Sequence, residues 1–209
     1  GLSLDGMVGA PDAGVRWLTG PAALEQVHQD RARADAILAG SGTVLADDPS
    51  LTARPGGLVA ERQHLRVILD SRGRSPLDAR VFDGAAPTFV ATTAASPERW
   101  QDALRRTGVE VHQLAASPAG IDLPGLLDHL AARGVVSLIA EGGPTLHAAL
   151  FSAGLAGEVH AYVAPKLLGQ GVPLFPAGAL PAPLELREPV IVPLAPDVLV
   201  RGYTGPWSP

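Results

Sequence analysis

Two glycine-rich junctions are the segments of this sequence best suited to bind a phosphate group. The first is GSGT at residues 40–43 and the second is EGGPT at residues 141–145, and each directly follows a predicted strand. A helix N-terminus offers free N–H donors and a positive dipole end, and glycine lets a phosphate approach the backbone. Strand-to-helix turns also use glycine for geometry alone. Together the two junctions favour a dinucleotide or phosphate ligand, although neither matches the GxGxxG fingerprint or the P-loop.

Acidic and basic side chains supply the other candidates for chemistry. Asp47 and Asp48, followed by proline, could hold a metal ion, but aspartate is also common in a polar turn before proline. The chain has 15 arginines and a single lysine, Lys166. Coding bias accounts for such a composition. The alternative is that some arginines bind a planar anion through two parallel hydrogen bonds, which lysine does poorly.

Several classes of protein are disfavoured by composition. The chain has no cysteine, which excludes disulfides, cysteine-zinc sites and thiol nucleophiles, and it has no Gly-x-Ser-x-Gly elbow. The six histidines show no HExxH or paired spacing, so no metal site is predicted from them. A net charge of −5 argues against non-specific binding to nucleic acid or anionic membranes. No apolar run approaches 18 residues, and we therefore expect a soluble, cytoplasmic protein.

The elements that must position these residues alternate between strands and helices. Helices are predicted at residues 21–34, 97–106, 122–133 and 144–153, and strands at 36–40, 66–70, 88–93, 109–114, 135–140, 159–164, 184–192 and 197–203. Repeated strand–helix units indicate a mostly parallel sheet flanked by helices, and the last two strands indicate a C-terminal antiparallel hairpin. We predict one α/β domain over residues 1–209. Both glycine-rich junctions then lie at the carboxyl ends of strands, where open α/β sheets bind ligands.

Seven short motifs carry a resemblance to a known family. They are SLDG at residues 3–6, RWLT at 16–19, DAIL at 35–38, GSGTVLADDPSLTAR at 40–54, RVILDS at 66–71, EGGPTL at 141–146 and APKLLG at 164–169. Their order resembles the pyrimidine reductase family of the riboflavin pathway. That family forms the C-terminal half of the bifunctional deaminase–reductase and also occurs as stand-alone enzymes. The resemblance implies the mixed sheet of dihydrofolate reductase.

The activity that the resemblance implies is the NADPH-dependent reduction of 5-amino-6-(5-phosphoribosylamino)uracil to the ribityl compound. The implied catalytic residues are Asp47 and Glu141. Implied substrate contacts are Met7, Thr19, Arg31, Leu51 and Arg54, with Arg31 and Arg54 as candidates for the substrate phosphate. The implied cofactor contacts are Gly42, Thr43, Val44, Gly142, Gly143, Pro144, Thr145 and Leu146, with Ser71 and Arg72 near the 2′-phosphate. Members of the family commonly associate, so a homodimer is expected.

The sequence departs from the family pattern at three places. Met7 stands where a basic residue is common, only Gly1 and Leu2 precede the first motif, and residues 172–183 are short and proline-rich. The cysteine-containing zinc motif of the deaminase half is absent. These departures keep other functions open. They are reduction of the 2,5-diaminopyrimidinone phosphate or of another pteridine-like molecule, and a non-catalytic module for nucleotide binding or oligomerisation.

Overall fold

The computed structural model describes residues 1–9, 18–118, 120–180 and 182–205. Its helices are α1 (Pro21–Arg33), α2 (Ser41–Asp47), α3 (Glu98–Arg106), α4 (Leu123–Ala132) and α5 (Pro144–Ser152). Its strands are β1 (Leu2–Ser3), β2 (Met7–Gly9), β3 (Ala36–Gly40), β4 (Leu65–Leu69), β5 (Thr88–Thr92), β6 (Glu110–Gln113), β7 (Ala116–Ser117), β8 (Gly120–Ile121), β9 (Leu138–Gly142), β10 (Glu158–Ala164), β11 (Val172–Pro173), β12 (Arg187–Leu194) and β13 (Asp197–Tyr203). The chain divides into two compact units, one of residues 1–27 and 147–209 and the other of residues 28–146.

The unit of residues 28–146 contains a five-stranded sheet in which every pair of neighbours is parallel. The strand order is β6-β5-β4-β3-β9, so β3 lies between β4 and β9. The central strands bury apolar side chains on both faces, as expected for a parallel sheet covered on both sides, and β4 also buries Arg66. Their fully buried residues include Ile37, Leu38, Val67, Ile68, Phe89 and Val90. The carboxyl ends of β3, β4 and β9 therefore meet at one edge of this sheet.

The strand predicted at residues 135–140 is displaced in the structure, where β9 begins three residues later and ends at Gly142. The cause is Asp35, whose carboxylate accepts hydrogen bonds from the backbone N–H groups of Val136 and Ser137 and from the Ser137 hydroxyl. These bonds lower the pKa of Asp35. They also hold residues 136–137 outside the sheet, and Val136 is 92% exposed. The apolar pattern of residues 135–140 did not reveal this competing set of bonds.

The ladder between β3 and β9 contains a bulge at Glu141. Leu38 pairs with Ala140 and the next residue, Ala39, pairs with Gly142, so Glu141 is an extra residue in β9. In a bulge the extra residue is left unpaired, and its side chain does not follow the alternation of side chains between the two faces of the sheet. Glu141 is therefore set apart from its neighbours at the end of the strand.

The unit of residues 1–27 and 147–209 contains a four-stranded sheet in the order β1-β10-β13-β12. β1 is parallel to β10, whereas β10, β13 and β12 are antiparallel. Its small core contains Ala23, Tyr162 and Leu199. The Asp5 carboxylate accepts hydrogen bonds from the Ser3 hydroxyl and from the backbone of residues 168 and 169, which lower the pKa of Asp5 to about 2.

The predicted α/β class is confirmed, with mostly parallel strands, flanking helices and a C-terminal antiparallel hairpin. The hairpin strand predicted at 184–192 lies at Arg187–Leu194, and the other is Asp197–Tyr203 as predicted. Helix α2 and the short strands β1, β2, β7, β8 and β11 were not predicted. Motif residues 16 and 17 lie outside the described residues. Within the described ranges, no helix has both the length and the apolar character needed to cross a bilayer.

Candidate active site

The first glycine-rich junction joins β3 directly to α2. Gly40 is the last residue of β3 and the N-cap of α2, and Ser41 is buried beneath it. The Ser41 hydroxyl accepts a hydrogen bond of 2.8 Å from the Arg74 guanidinium. Gly42 faces open space, because a Cβ added there would meet no atom within 4 Å. The junction therefore leaves room for a bound group directly above the backbone.

The second glycine-rich junction lies against the first through Thr43. A Cβ added to Gly142 would lie 3.1 Å from the Thr43 hydroxyl oxygen and 3.2 Å from the Ala39 Cα atom. Gly143 has φ +85°, and its added Cβ would lie 3.3 Å from the same hydroxyl. Both positions consequently require glycine, for close approach at Gly142 and for backbone conformation at Gly143. The two junctions form a small cradle lined by glycine backbone and the Thr43 hydroxyl.

The loop after β4 presents basic side chains at the same edge of the sheet. Asp70 is fully buried, and its carboxylate accepts hydrogen bonds from the backbone N–H groups of Arg72 and Ser75. The Thr93 hydroxyl holds the Ser71 carbonyl at 2.7 Å. The loop backbone is therefore held by buried partners, while the side chains of Arg72 and Arg74 are exposed. This arrangement can present two cations to an anion at the carboxyl end of β4.

Arg31 and Glu141 form a two-pronged ion pair. The Arg31 Nε and Nη2 atoms donate to the two Glu141 carboxylate oxygens, each at 2.5 Å, and Nη1 donates to the Thr52 carbonyl at 3.0 Å. Their side chains are 13% and 19% exposed. A bidentate arginine–carboxylate pair fixes both groups in orientation as well as in charge. Each carboxylate oxygen of the bulged Glu141 can still accept a further hydrogen bond. The Nε and Nη2 edge of Arg31, which could otherwise bind a second anion, is occupied by Glu141.

Arg54 lies close to this pair as a second cation. Its Nη1 atom donates to the Thr52 hydroxyl, and no carboxylate lies within ion-pair distance of Arg54 in the part of the chain that the structure describes. Burial is the largest effect on Arg54, and the positive charges of Arg31 and Arg80 add to it, so the pKa of Arg54 is lowered. Because Arg54 has no carboxylate partner among the described residues and the positive charges of Arg31 and Arg80 act on it, the local field favours an incoming anion.

The other predicted site residues of this unit lie in the hydrophobic core, in α2 and in α5. The side chains of Val44 and Leu51 are buried in the hydrophobic core, and only their backbone groups could contact a ligand. Asp47 is exposed at the last residue of α2, and Asp48 accepts a hydrogen bond from the Arg80 backbone. In α5, Pro144 is the first residue, Thr145 is exposed and Leu146 is buried. Among the described residues, no group of three or more metal-ligating side chains occurs.

Met7 and Thr19 belong to the unit of residues 1–27 and 147–209. The Met7 backbone N–H donates to the Ser3 hydroxyl at 2.9 Å, and Met7 pairs with Pro173 in the β2–β11 ladder. Thr19 is partly buried and lies beside Gly1.

Three residues near the candidate site were not predicted from the sequence. Arg74 contacts the start of α2, Thr52 contacts both Arg31 and Arg54, and Arg80 adds positive charge near Arg54. The spacing of Arg72 and Arg74 in one loop is a signal that could have identified Arg74. Thr52 and Arg80 carry no comparable signal, because their contacts depend on how the loops pack.

Comparison with known proteins shows which family the chain belongs to. A family model described as the RibD C-terminal domain matches residues 1–200. The chain belongs to the RibD C-terminal domain family. A riboflavin biosynthesis protein RibD of Chlamydia pneumoniae is 40% identical over 190 residues, which cover 90% of this chain and 50% of that protein. A 2,5-diamino-6-ribosylamino-4(3H)-pyrimidinone 5′-phosphate reductase of Methanothermobacter thermautotrophicus is 36% identical over 80% of this chain and 76% of its own length.

A solved structure of Acinetobacter baumannii RibD has the same fold as this RibD C-terminal domain. It aligns with a TM-score of 0.79 and 31% sequence identity over 98% of this chain and 56% of that chain. The chain spans about half the length of the RibD proteins that it matches. The family resemblance stated from the seven motifs is confirmed.

Proposed function

We propose that this RibD C-terminal domain reduces the ribosyl group of 5-amino-6-(5-phosphoribosylamino)uracil to the ribityl compound of riboflavin biosynthesis, with NADPH as reductant. The observation that carries the proposal is Arg54, a cation for which the described parts of the chain supply no carboxylate partner, beside the Arg31–Glu141 pair. Glu141 directly precedes Gly142 and Gly143, so the ion pair lies at the same edge of the five-stranded sheet as the glycine cradle. Membership of a family whose relatives are named as RibD and as a pyrimidinone phosphate reductase supports this function.

On the substrate side, the roles follow from charge and from free hydrogen-bonding capacity. Arg54 binds the substrate phosphate, because its guanidinium carries several N–H donors and only one donates to Thr52. Glu141 accepts hydrogen bonds from the pyrimidine or the sugar through the lone pairs that Arg31 leaves free. Arg31 orients Glu141 through the two hydrogen bonds between them. Asp47, Leu51, Met7 and Thr19 remain proposed substrate or catalytic contacts.

On the cofactor side, the chain supplies a cradle and cations. Gly42, Thr43, Gly142 and Gly143 line the space for the pyrophosphate, and Pro144 opens α5, whose N-terminal N–H groups would donate to it. Val44 and Leu146 support this cradle from the core, and Thr145 borders it. Ser71 and Arg72, with Arg74 beside them, bind the 2′-phosphate. Bound NADPH supplies the hydride that reduces the C=N carbon of the ring-opened sugar. The protein contributes position, exclusion of water and charge complementarity.

A second candidate substrate is the diaminopyrimidinone phosphate that has not been deaminated. It is favoured by the relative from Methanothermobacter thermautotrophicus, whose name specifies that substrate and which this chain covers over 76% of its length. The two compounds differ at one ring substituent and share the ribosyl phosphate. The same Arg54 contact serves both.

The test is a turnover assay with each compound. Purified protein and NADPH are mixed with either pyrimidine, and the loss of absorbance of the reduced nicotinamide is followed. Turnover with the uracil compound supports the first candidate, and turnover with the diamino compound alone supports the second. NADPH binding without turnover of either compound would contradict the enzymatic proposal and favour a nucleotide-binding module.

Three further expectations accompany this function. We propose that the whole chain acts as one reductase domain and that it forms a homodimer. Analytical ultracentrifugation of the purified protein tests the dimer. The cytoplasmic location expected from the sequence stays a prediction.

A further inference from the structure

The segment of residues 50–54 is neither helix nor strand, yet it carries Arg54 and the buried Leu51. Leu51 has φ +48°, in the left-handed region that residues other than glycine rarely adopt. Such a conformation costs energy and persists only where surrounding contacts determine it. The contacts that hold this segment therefore decide where the Arg54 guanidinium lies.

Side chains from outside the segment hold its backbone at successive residues. Gln63 contacts Ala53 twice, since its Oε1 accepts from the Ala53 N–H at 2.9 Å and its Nε2 donates to the Ala53 carbonyl at 3.0 Å. The Nε2 of His64 lies 2.6 Å from the Leu51 carbonyl oxygen. The Nδ1 of His28 accepts from the Arg54 N–H at 3.2 Å. These bonds replace the regular pairing that a strand or helix would provide.

His64 is buried, and its second ring nitrogen, Nδ1, lies 3.1 Å from the Arg31 carbonyl oxygen. Burial and the charge of Arg31 lower the pKa of His64, against the opposing effects of the carbonyl groups and of Glu141. Both ring nitrogens lie within hydrogen-bond distance of a backbone carbonyl oxygen, and a neutral imidazole, which has a single N–H, can donate to only one of the two. His64 thus contacts the backbone of Leu51 and the backbone of Arg31, the residue that holds Glu141.

We propose that Gln63 and His64 are positioning residues for the proposed reaction. They hold Leu51 and Ala53 so that the Arg54 guanidinium lies beside the Arg31–Glu141 pair, and they touch neither substrate nor cofactor themselves. This inference rests on the proposed function. It explains how a polar dipeptide directly before β4 can matter to a site that it does not line.

Two measurements on the full chain test the inference. Hydrogen exchange of backbone amides reports the hold on the segment directly. In Gln63→Leu the Ala53 amide loses its acceptor and should exchange at least tenfold faster, while amides of β3 and β4 keep their rates. Steady-state kinetics report the consequence. Gln63→Leu and His64→Leu should each raise the KM for the pyrimidine phosphate about tenfold, roughly the effect of one hydrogen bond, with NADPH affinity unchanged within twofold.

Conservative variants and matched controls separate positioning from a general loss of structure. In Gln63→Glu the side chain still accepts from the Ala53 N–H, so exchange there should stay near the wild-type rate. In His64→Gln a side-chain amide can still donate to the Leu51 carbonyl, and the KM should recover most of its wild-type value. Gln113→Leu and His160→Leu make the same chemical changes elsewhere, on β6 and β10, and should leave the KM unchanged.

A double-variant cycle gives the sharpest outcome. Because Gln63 acts through Arg54, adding Gln63→Leu to Arg54→Ala should raise the KM no further. Additive effects, an unchanged KM in Gln63→Leu, or an equal loss of NADPH affinity would overturn the inference while leaving the proposed function intact. Wild-type protein that turns over neither pyrimidine would instead overturn the proposed function.

Discussion

The guanidinium of Arg31 and the carboxylate of Glu141 join through two hydrogen bonds of 2.5 Å, although 110 residues separate them in the sequence. Arg31 lies in the last turn of α1, and Glu141 is the bulged residue of β9. This pair connects the substrate side of the candidate site to the glycine cradle, because Gly142 and Gly143 directly follow Glu141. Four predictions test the pair and its surroundings.

The first prediction concerns the pair itself. Glu141→Gln removes the charge that Arg31 faces and leaves a largely buried guanidinium without its anionic partner. The free energy of unfolding should fall by about 1.5–3 kcal/mol, the range for hydrogen bonds to charged groups, and turnover should fall at least tenfold. Urea unfolding and the NADPH oxidation assay measure the two effects.

The matched control for that variant is Glu110→Gln. Glu110 and Arg133 also form a bidentate pair, but their side chains are 50% and 35% exposed, so solvent screens their charges. We expect a loss of about 1 kcal/mol or less and full activity. Equal losses of stability in the two variants would show that the partial burial of the Arg31–Glu141 pair has no special importance.

The second prediction concerns Arg54. Arg54→Ala removes the cation that lacks a carboxylate partner, and the KM for the pyrimidine phosphate should rise about 10- to 100-fold, as expected for charge-assisted hydrogen bonds to a phosphate. NADPH affinity should stay within twofold of wild type. Arg106→Ala, on the exposed end of α3, is the control. Parallel losses of substrate and NADPH affinity would refute the assignment of Arg54 to the substrate.

The third prediction concerns Gly42. The space above it is open, so Gly42→Ala should leave the free energy of unfolding unchanged within about 0.5 kcal/mol or raise it slightly, since alanine favours a helix. The added methyl group would occupy the cradle, and the Kd for NADPH should rise at least tenfold in a fluorescence titration. Gly157→Ala, at another open glycine, should change neither quantity. Unchanged NADPH affinity in Gly42→Ala would show that the cofactor does not bind at this junction.

The fourth prediction concerns pH and follows from the lowered pKa of His64. Below about pH 6.5 the unfolded chain binds a proton that buried His64 takes up only at a lower pH in the folded state, so the free energy of unfolding should fall as the pH falls through that interval. One histidine contributes a slope of at most about 1.4 kcal/mol per pH unit. Urea unfolding at pH 7.5 and 5.5 measures it.

The His64→Gln variant isolates this contribution. It should flatten the pH dependence, and His129, whose pKa is also lowered by burial and by the nearby charges of His112 and Arg133, should contribute to the slope that remains. The Asp5 and Asp35 carboxylates, with lowered pKa values, stabilise the fold above about pH 4 and lose that effect only at more acidic pH. An identical slope in His64→Gln and wild type would contradict the prediction.

Much of the architecture was predictable because its signals are local. Apolar runs predicted β3 and β5. Two neighbouring strand patterns predicted the final hairpin, and a glycine pair followed by proline predicted the start of α5. β9 was misplaced because its start depends on Asp35, about a hundred residues earlier in the chain. A local apolar pattern contains no information about such a partner.

By itself, the sequence determined the α/β class, the family and the two glycine-rich junctions. These follow from side-chain periodicity, backbone conformation and the order of short motifs, which are properties of neighbouring residues. Only the tertiary structure decided that Arg31 pairs with Glu141, that Arg54 has no carboxylate partner among the described residues, and that Gln63 and His64 hold the segment of residues 50–54. Those relationships depend on strand register, on one bulge and on the packing of loops. Long-range contacts of this kind arise only when the whole chain folds.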